Sequence, residues 1–184
     1  KRLNDMCSGV FKLYSFVDNH DVERIMSKLS TPKGFVPVHI MLYTLPGVPS
    51  IYYGSEFGIE GKKGHGAGAD DPLRPEMVYE DWTSAMEDNA YAKFITVLGK
   101  MRQQVKALSY GDYKEQNLTT RQYTFSRNYE GTTVVVMVNT AIISRKISNV
   151  LKLLLNHRKS LPILLKELLV YRVIKLSYKQ KKRG

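Results

Sequence analysis

The stretch Lys12-Leu13-Tyr14-Ser15-Phe16-Val17-Asp18-Asn19-His20-Asp21-Val22-Glu23-Arg24 constrains this chain more than any other. Leu13 to Val17 is a short apolar run rich in aromatic and β-branched residues, which predicts a buried strand. The run stops at once in Asp18, Asn19, His20 and Asp21. Val22, Ile25, Met26 and Leu29 then follow at i, i+3, i+4, i+7, the spacing of a helix running to about Leu29. A buried strand therefore ends in two carboxylates and an imidazole, with a helix directly after it. Parallel α/β proteins keep their chemistry at the carboxyl ends of their strands. Against that stands a plain structural reading, in which Asp21 caps the helix and Asp18-Asn19 make the turn. Spacing alone leaves both open.

The chain beyond supplies the crossover. Thr31-Pro32-Lys33-Gly34 breaks the first helix. Val38, Met41, Leu42 and Leu45 predict a second, stopped by Pro46-Gly47. Ser50-Ile51-Tyr52-Tyr53 reads as a second buried strand, so strand, helix and strand make a parallel unit. Residues 54–76 form a long loop with six glycines and the run Asp70-Asp71-Pro72-Leu73-Arg74-Pro75. Long structureless loops are functional or disordered, and no Gly-Lys-Ser/Thr follows to make this one a phosphate cradle. Phe94, Val97, Leu98, Met101, Val105 and Leu108 predict one further helix. Tyr110-Gly111-Asp112-Tyr113 turns the chain, and 114–118, 121–127 and 132–138 read as strands of a separate antiparallel sheet.

Two segments together resemble the α-amylase family, glycoside hydrolase family 13. Phe16-Val17-Asp18-Asn19-His20-Asp21 is similar to the end of that family's seventh barrel strand. Gly47-Val48-Pro49-Ser50-Ile51-Tyr52-Tyr53-Gly54-Ser55-Glu56 is similar to its eighth-strand segment, in the same order and at a suitable spacing. The resemblance covers residues 1–140. It implies the last two βα units of a TIM (β/α)8 barrel over 1–109 and the start of an antiparallel β-sandwich over 110–140. It also implies a C-terminal fragment of a retaining glycosidase acting on α-glucans or maltooligosaccharides, in the manner of α-amylase, neopullulanase or cyclomaltodextrinase.

By that resemblance Asp21 matches the third acidic residue, which stabilises the transition state. His20 matches the histidine that hydrogen-bonds sugar hydroxyls, and Asn19 lies beside it in the substrate-binding set. Asp71 and Arg74 resemble a loop pair contacting a donor-side glucose, at a spacing one residue tighter than in many members. The family's nucleophile and acid/base lie on earlier strands, so the chain alone is expected to be inactive. Retaining hydrolysis needs both carboxyl groups, flanking an oxocarbenium-like transition state. Tyr52, Tyr53 and Trp82 could stack on sugars, although strand tyrosines are usually core. Glu56 reads as a structural hydrogen-bonding residue. Asp18, His20, Asp21 and Glu23 are too crowded in sequence to face one metal ion, and Ser15 has no nucleophile elbow around it. No cofactor is implied in these residues. The calcium dependence, bond preference, oligomeric state and export of the parent enzyme are left open.

Charge divides the chain at the edge of this resemblance. The net charge is +11, yet residues 1–140 carry 16 basic and 16 acidic side chains. Residues 141–184 carry 12 basic residues and one acid, Glu167. Leucines and isoleucines at 147–155 and 161–169 have helical spacing. A basic helix pair, a membrane-surface element and out-of-frame translation compete as readings of this tail. The third is favoured, because Lys, Leu, Ile and Ser dominate the tail and the resemblance stops abruptly there; a helical tail would also supply no strand to pair with 132–138. Two further functions from other classes stay open: a non-catalytic carbohydrate-binding module, and a nucleic-acid or membrane-surface binder through the tail. No 18-residue apolar run is present to span a membrane, and the single cysteine, Cys7, excludes an internal disulfide framework.

Overall fold

The computed structural model describes residues 6, 11–78, 80, 83, 87–139 and 174–180, the last as backbone. The chain divides into two units, Lys1–Gln103 and Gln104–Gly184.

In the first unit, strand β1 (Tyr14–Ser15) pairs in parallel with β2 (Val48–Pro49). Val48 N–H donates to Leu13 O at 2.7 Å and Ser50 N–H to Ser15 O at 2.8 Å. The parallel pairing agrees with the sequence reading, but the second strand lies earlier than the predicted 50–53. Pro49 has no N–H to lose between the two ladder donors. Beyond Ser50 the chain leaves the ladder. Ser55 N–H turns back onto Tyr52 O, and Gly54 takes φ +83°, a conformation that favours glycine.

The helix expected from Asp21 is short: α1 covers Ile25–Lys28. A tight turn comes first, because Asn19 Oδ1 accepts from the N–H groups of Asp21 and Val22 at 2.9 and 3.1 Å. A 3-10 turn, Pro32–Gly34, leads into α2 (Phe35–Thr44). Phe35, His39, Ile40 and Thr44 of α2 are fully buried. Helix α3 (Ala90–Gln104) buries Phe94, Leu98 and Met101, the face its periodicity predicts. Its Arg102 donates to Tyr43 O at 2.6 Å, Leu45 O at 3.3 Å and Gly47 O at 2.6 Å. One guanidinium thus satisfies the carbonyls left free where α2 ends and β2 begins.

The single helix predicted to run through Leu108 is broken at Val105 (φ −99°, ψ 87°), and α4 follows at Lys106–Tyr110. In the second unit α4 packs against the sheet, burying Ala107 and Leu108. Arg127 fixes the following turn by donating to Gly111 O at 2.9 Å. Strands β3 (Asp112–Leu118), β4 (Gln122–Tyr129), β5 (Thr132–Asn139) and β6 (Ile174–Gln180) form an antiparallel sheet in that order. Glu130 and Gly131, both at positive φ, make the two-residue turn between β4 and β5 that the sequence marks. Phe125 opposite Val136 centres the core, with Val134 and Val138 beside them.

β6 corrects one premise of the out-of-frame reading, that the tail supplies no strand for β5. Residues 174–180 pair with β5 from Thr132↔Gln180 to Val138↔Ile174. The tail does supply a strand, since β5 has an open edge whose backbone groups need partners. The helical spacings at 147–155 and 161–169 lie outside the described residues. Among the described residues no helix is long and apolar enough to cross a membrane.

Candidate active site

The predicted site residues Asn19, His20, Asp21, Asp71 and Arg74 lie in the first unit, on two loops: 16–24 after β1 and 50–75 after β2. The two loops start side by side because their strands are paired in parallel. Asn19 spends its side chain on the turn, so its carbonyl oxygen holds the backbone of Asp21 and Val22. The turn carries His20 and Asp21 outward, and their side chains are 59% and 58% exposed.

Asp21 sits between two nitrogen partners. His20 Nε2 is 3.1 Å from Asp21 Oδ2, and Arg74 Nη2 is 3.2 Å from Asp21 Oδ1. Arg74 also donates from Nε to the His20 carbonyl at 3.1 Å. The same Nη2 lies 3.3 Å from Asp70 Oδ2, and Lys63 Nζ lies 2.9 Å from Asp70 Oδ1. The Lys63 ammonium bonded to Asp70 holds that carboxyl below its usual range, with Arg74 and His20 adding to the effect.

The structure thus brings together His20, Asp21 and Arg74 of the predicted set, with Asn19 beneath them. Asp71 opens the 3-10 turn Asp71–Leu73, and its Oδ2 lies over Gly68. Arg74 turns to Asp70 instead. The i, i+4 separation of Asp70 and Arg74 is the signal that could have found this pair in the sequence.

Beneath the exposed residues is a buried layer whose links, through Ser55 and Arg24, the sequence did not single out. Asp18 is 1% exposed. Its Oδ2 accepts from Ile25 N–H at 2.8 Å, capping α1, and from the Ser55 hydroxyl at 2.7 Å. Capping, assigned to Asp21 in the structural reading, is thus done by Asp18. Ser55 Oγ in turn accepts from Arg24 Nη1 at 3.2 Å. Arg24, fully buried, bonds the Leu73 carbonyl from Nε at 3.1 Å and Nη2 at 2.8 Å, and also donates to Tyr53 O. Its guanidinium carbon lies 4.2 Å from the Tyr52 ring centre and 5.0 Å from that of Tyr53. These two tyrosines therefore face a cation, and Tyr53 OH donates to Pro75 O at 3.0 Å. Trp82 and Cys7 lie outside the described residues.

Gly61 permits the close approach of the loop's two arms and the aliphatic stem of Arg24. A Cβ there would stand 2.4 Å from Pro72 O and 2.9 Å from Arg24 Cγ. Glu56 is half-buried, and burial pushes its carboxyl up; its Oε2 has no hydrogen-bond partner among the described residues. Burial pushes the His39 imidazole down, partly opposed by the Phe35 carbonyl bonded to its Nδ1 at 2.8 Å and by the charge of Asp18. Among the described residues no group of three or more His, Cys, Asp and Glu side chains is placed to hold a metal ion.

Chemically the exposed layer offers a carboxylate open to solvent, a ring N–H beside it and a guanidinium on its other side. Such a set can accept from and donate to a polyhydroxylated ligand while presenting a fixed anion to it.

The family model described as the α-amylase catalytic domain matches residues 1–167. A cyclomaltodextrin glucanotransferase of Geobacillus stearothermophilus is 31% identical over 126 residues, 68% of this chain and 16% of that protein. A cyclomaltodextrinase of Thermoanaerobacter pseudethanolicus is 24% identical over 128 residues, 69% of this chain and 21% of that protein. The crystal structure of a γ-CGTase from alkalophilic Bacillus clarkii superposes with a TM-score of 0.56 at 25% identity, over 71% of this chain and 18% of that one. The chain therefore spans about a fifth or less of these relatives' lengths.

Proposed function

The chain belongs to the α-amylase family, and from that premise we propose that it forms part of a retaining glycosidase acting on α-glucosidic bonds. β1 and β2 are then the last two strands of a (β/α)8 barrel, and the sheet of the second unit begins the β-sandwich that follows it. The substrates are starch-like glucans, maltooligosaccharides or cyclodextrins, the class to which the relatives' names point.

The observation that carries this reading is the setting of Asp21. Its carboxylate is exposed, sits past the end of a parallel strand, and is flanked at 3.1 and 3.2 Å by His20 and Arg74. In the proposed mechanism Asp21 is the transition-state stabiliser. Its fixed anion faces the positive charge that develops on the sugar ring as the glycosidic bond breaks. His20 donates to ring hydroxyls through its N–H, and Asn19 holds the turn that aims both side chains. Arg74 binds a neighbouring glucose. We assign its acidic partner to Asp70 in place of Asp71, on the 3.3 Å contact and the i, i+4 spacing. The nucleophile and the acid/base are not among these 184 residues, so the chain by itself turns over nothing.

The stereochemistry of the first product tests the reaction class. The enzyme encoded by the complete gene, supplied with maltohexaose or β-cyclodextrin, should release the α-anomer first, seen by NMR before mutarotation. Release of the β-anomer, or no cleavage of either glucan, would overturn the reading.

A further inference from the structure

Arg24 touches the start, middle and end of the loop after β2. Its guanidinium donates to Tyr53 O at the loop's start. Its backbone N–H donates to Gly61 O at 2.9 Å in the middle. Its Nε and Nη2 both grip Leu73 O at the end. Leu73 is itself fully buried, and the next residue is Arg74. The loop is thus wound round a buried cation, and Arg74 leaves it at a fixed point.

Two features make this hold stiff. A guanidinium is a planar fork, so a two-bond grip on one carbonyl sets direction as well as distance. Arg24 is also fixed from behind: it is 0% exposed, its Nη1 reaches Ser55 Oγ, and Ser55 in turn bonds the buried Asp18. Asp18 lies three residues before Asp21, and Arg24 three after it. Both ends of the Asp21 turn are therefore tied to the layer that holds Leu73.

We propose that Arg24 is a positioning residue for this site, setting Arg74 against Asp21 without itself touching substrate. The proposal rests on the glycosidase reading for its kinetic consequence, and on the loop's hydrogen bonds for its structural one. Arg24→Lys keeps the buried charge and loses the fork. In the complete enzyme it should accelerate hydrogen exchange in a peptide spanning 70–75 by about tenfold or more, leaving a peptide spanning 35–44 unchanged. The kinetic loss should fall mainly on KM for maltohexaose. It should not add to the loss caused by Arg74→Ala, because both changes remove one contact.

Unchanged exchange in 70–75 would overturn the proposal. So would equal acceleration in 35–44, which would make Arg24 a general packing residue, or additive kinetic losses in the double variant. If the wild-type enzyme cleaves no glucan, the glycosidase reading fails alone, since the exchange arm judges the positioning role without activity.

Discussion

The hydroxyl of Ser55 donates to the carboxylate of Asp18 at 2.7 Å, joining the turn after β1 to the loop after β2 across 37 residues of chain. Both side chains are buried, and Asp18 Oδ1 has no hydrogen-bond partner among the described residues. Ser55→Ala should therefore cost roughly 1–3 kcal/mol, the range for leaving a buried acceptor short of a donor. Asp18→Ala should cost more than Ser55→Ala, because it removes the acceptor of both the Ile25 N–H and the Ser55 hydroxyl. Urea unfolding of the complete enzyme, followed by tryptophan fluorescence, measures both. Equal and small shifts would show that the link holds nothing together.

Acid should destabilise the fold through His39, which burial holds below its ordinary 6.5. Above that value both folded and unfolded states carry a neutral ring. As pH falls below 6.5 the unfolded state takes up the proton first, so stability is lost until the depressed folded value is reached. Glu56 acts in the opposite direction, because burial raises its carboxyl above 4.5 and stability falls as pH rises from there. His39→Gln isolates the first effect: its melting temperature should drop less between pH 7.5 and pH 5 than that of wild type, as read by calorimetry. Equal drops would assign acid sensitivity elsewhere.

Asp70 and Asp71 can be told apart by substitution. Asp70→Asn removes the carboxylate shared by Lys63 and Arg74. KM for maltohexaose should rise several-fold, with little change in kcat. Asp71→Asn should leave both nearly unchanged. The reverse order of effects would return the role to Asp71.

Much of the upper layer of the site was legible through the family resemblance of Phe16 to Asp21, whereas the spacing of Asn19, His20 and Asp21 alone left a turn-and-cap reading equally open. The lower layer was not. Asp18 meets Ser55 across 37 residues and Arg24 meets Leu73 across 49, and no local periodicity encodes such pairs. Helix α3 showed its buried face plainly, yet the break at Val105 left no trace, since Val105 and Leu108 are buried in phase with the residues before it. β5 was readable from its β-branched run, and the hairpin that joins it to β4 from Glu130-Gly131. β6 was hidden because 174–180 mixes apolar residues with Lys175 and Lys179, as edge strands do.

The pairing of β6 can be checked by amide exchange in β5. Alternate amides of β5 face β4 and β6. Deleting residues 140–184 should speed exchange of the β6-facing set by about tenfold and spare the β4-facing set. If both sets keep their protection, β6 does not cover this edge, and out-of-frame translation of 141–184 regains its motive.

The measurement that bears most directly on the account is turnover of maltohexaose by the complete enzyme carrying Asp21→Asn. The substitution keeps the shape of an exposed side chain, so the melting temperature should stay close to that of wild type. Turnover should fall by roughly 10²- to 10³-fold, as expected when preorganised charge is removed from a transition state. Near-normal turnover would contradict the account and leave Asp21 as an ordinary residue of the turn.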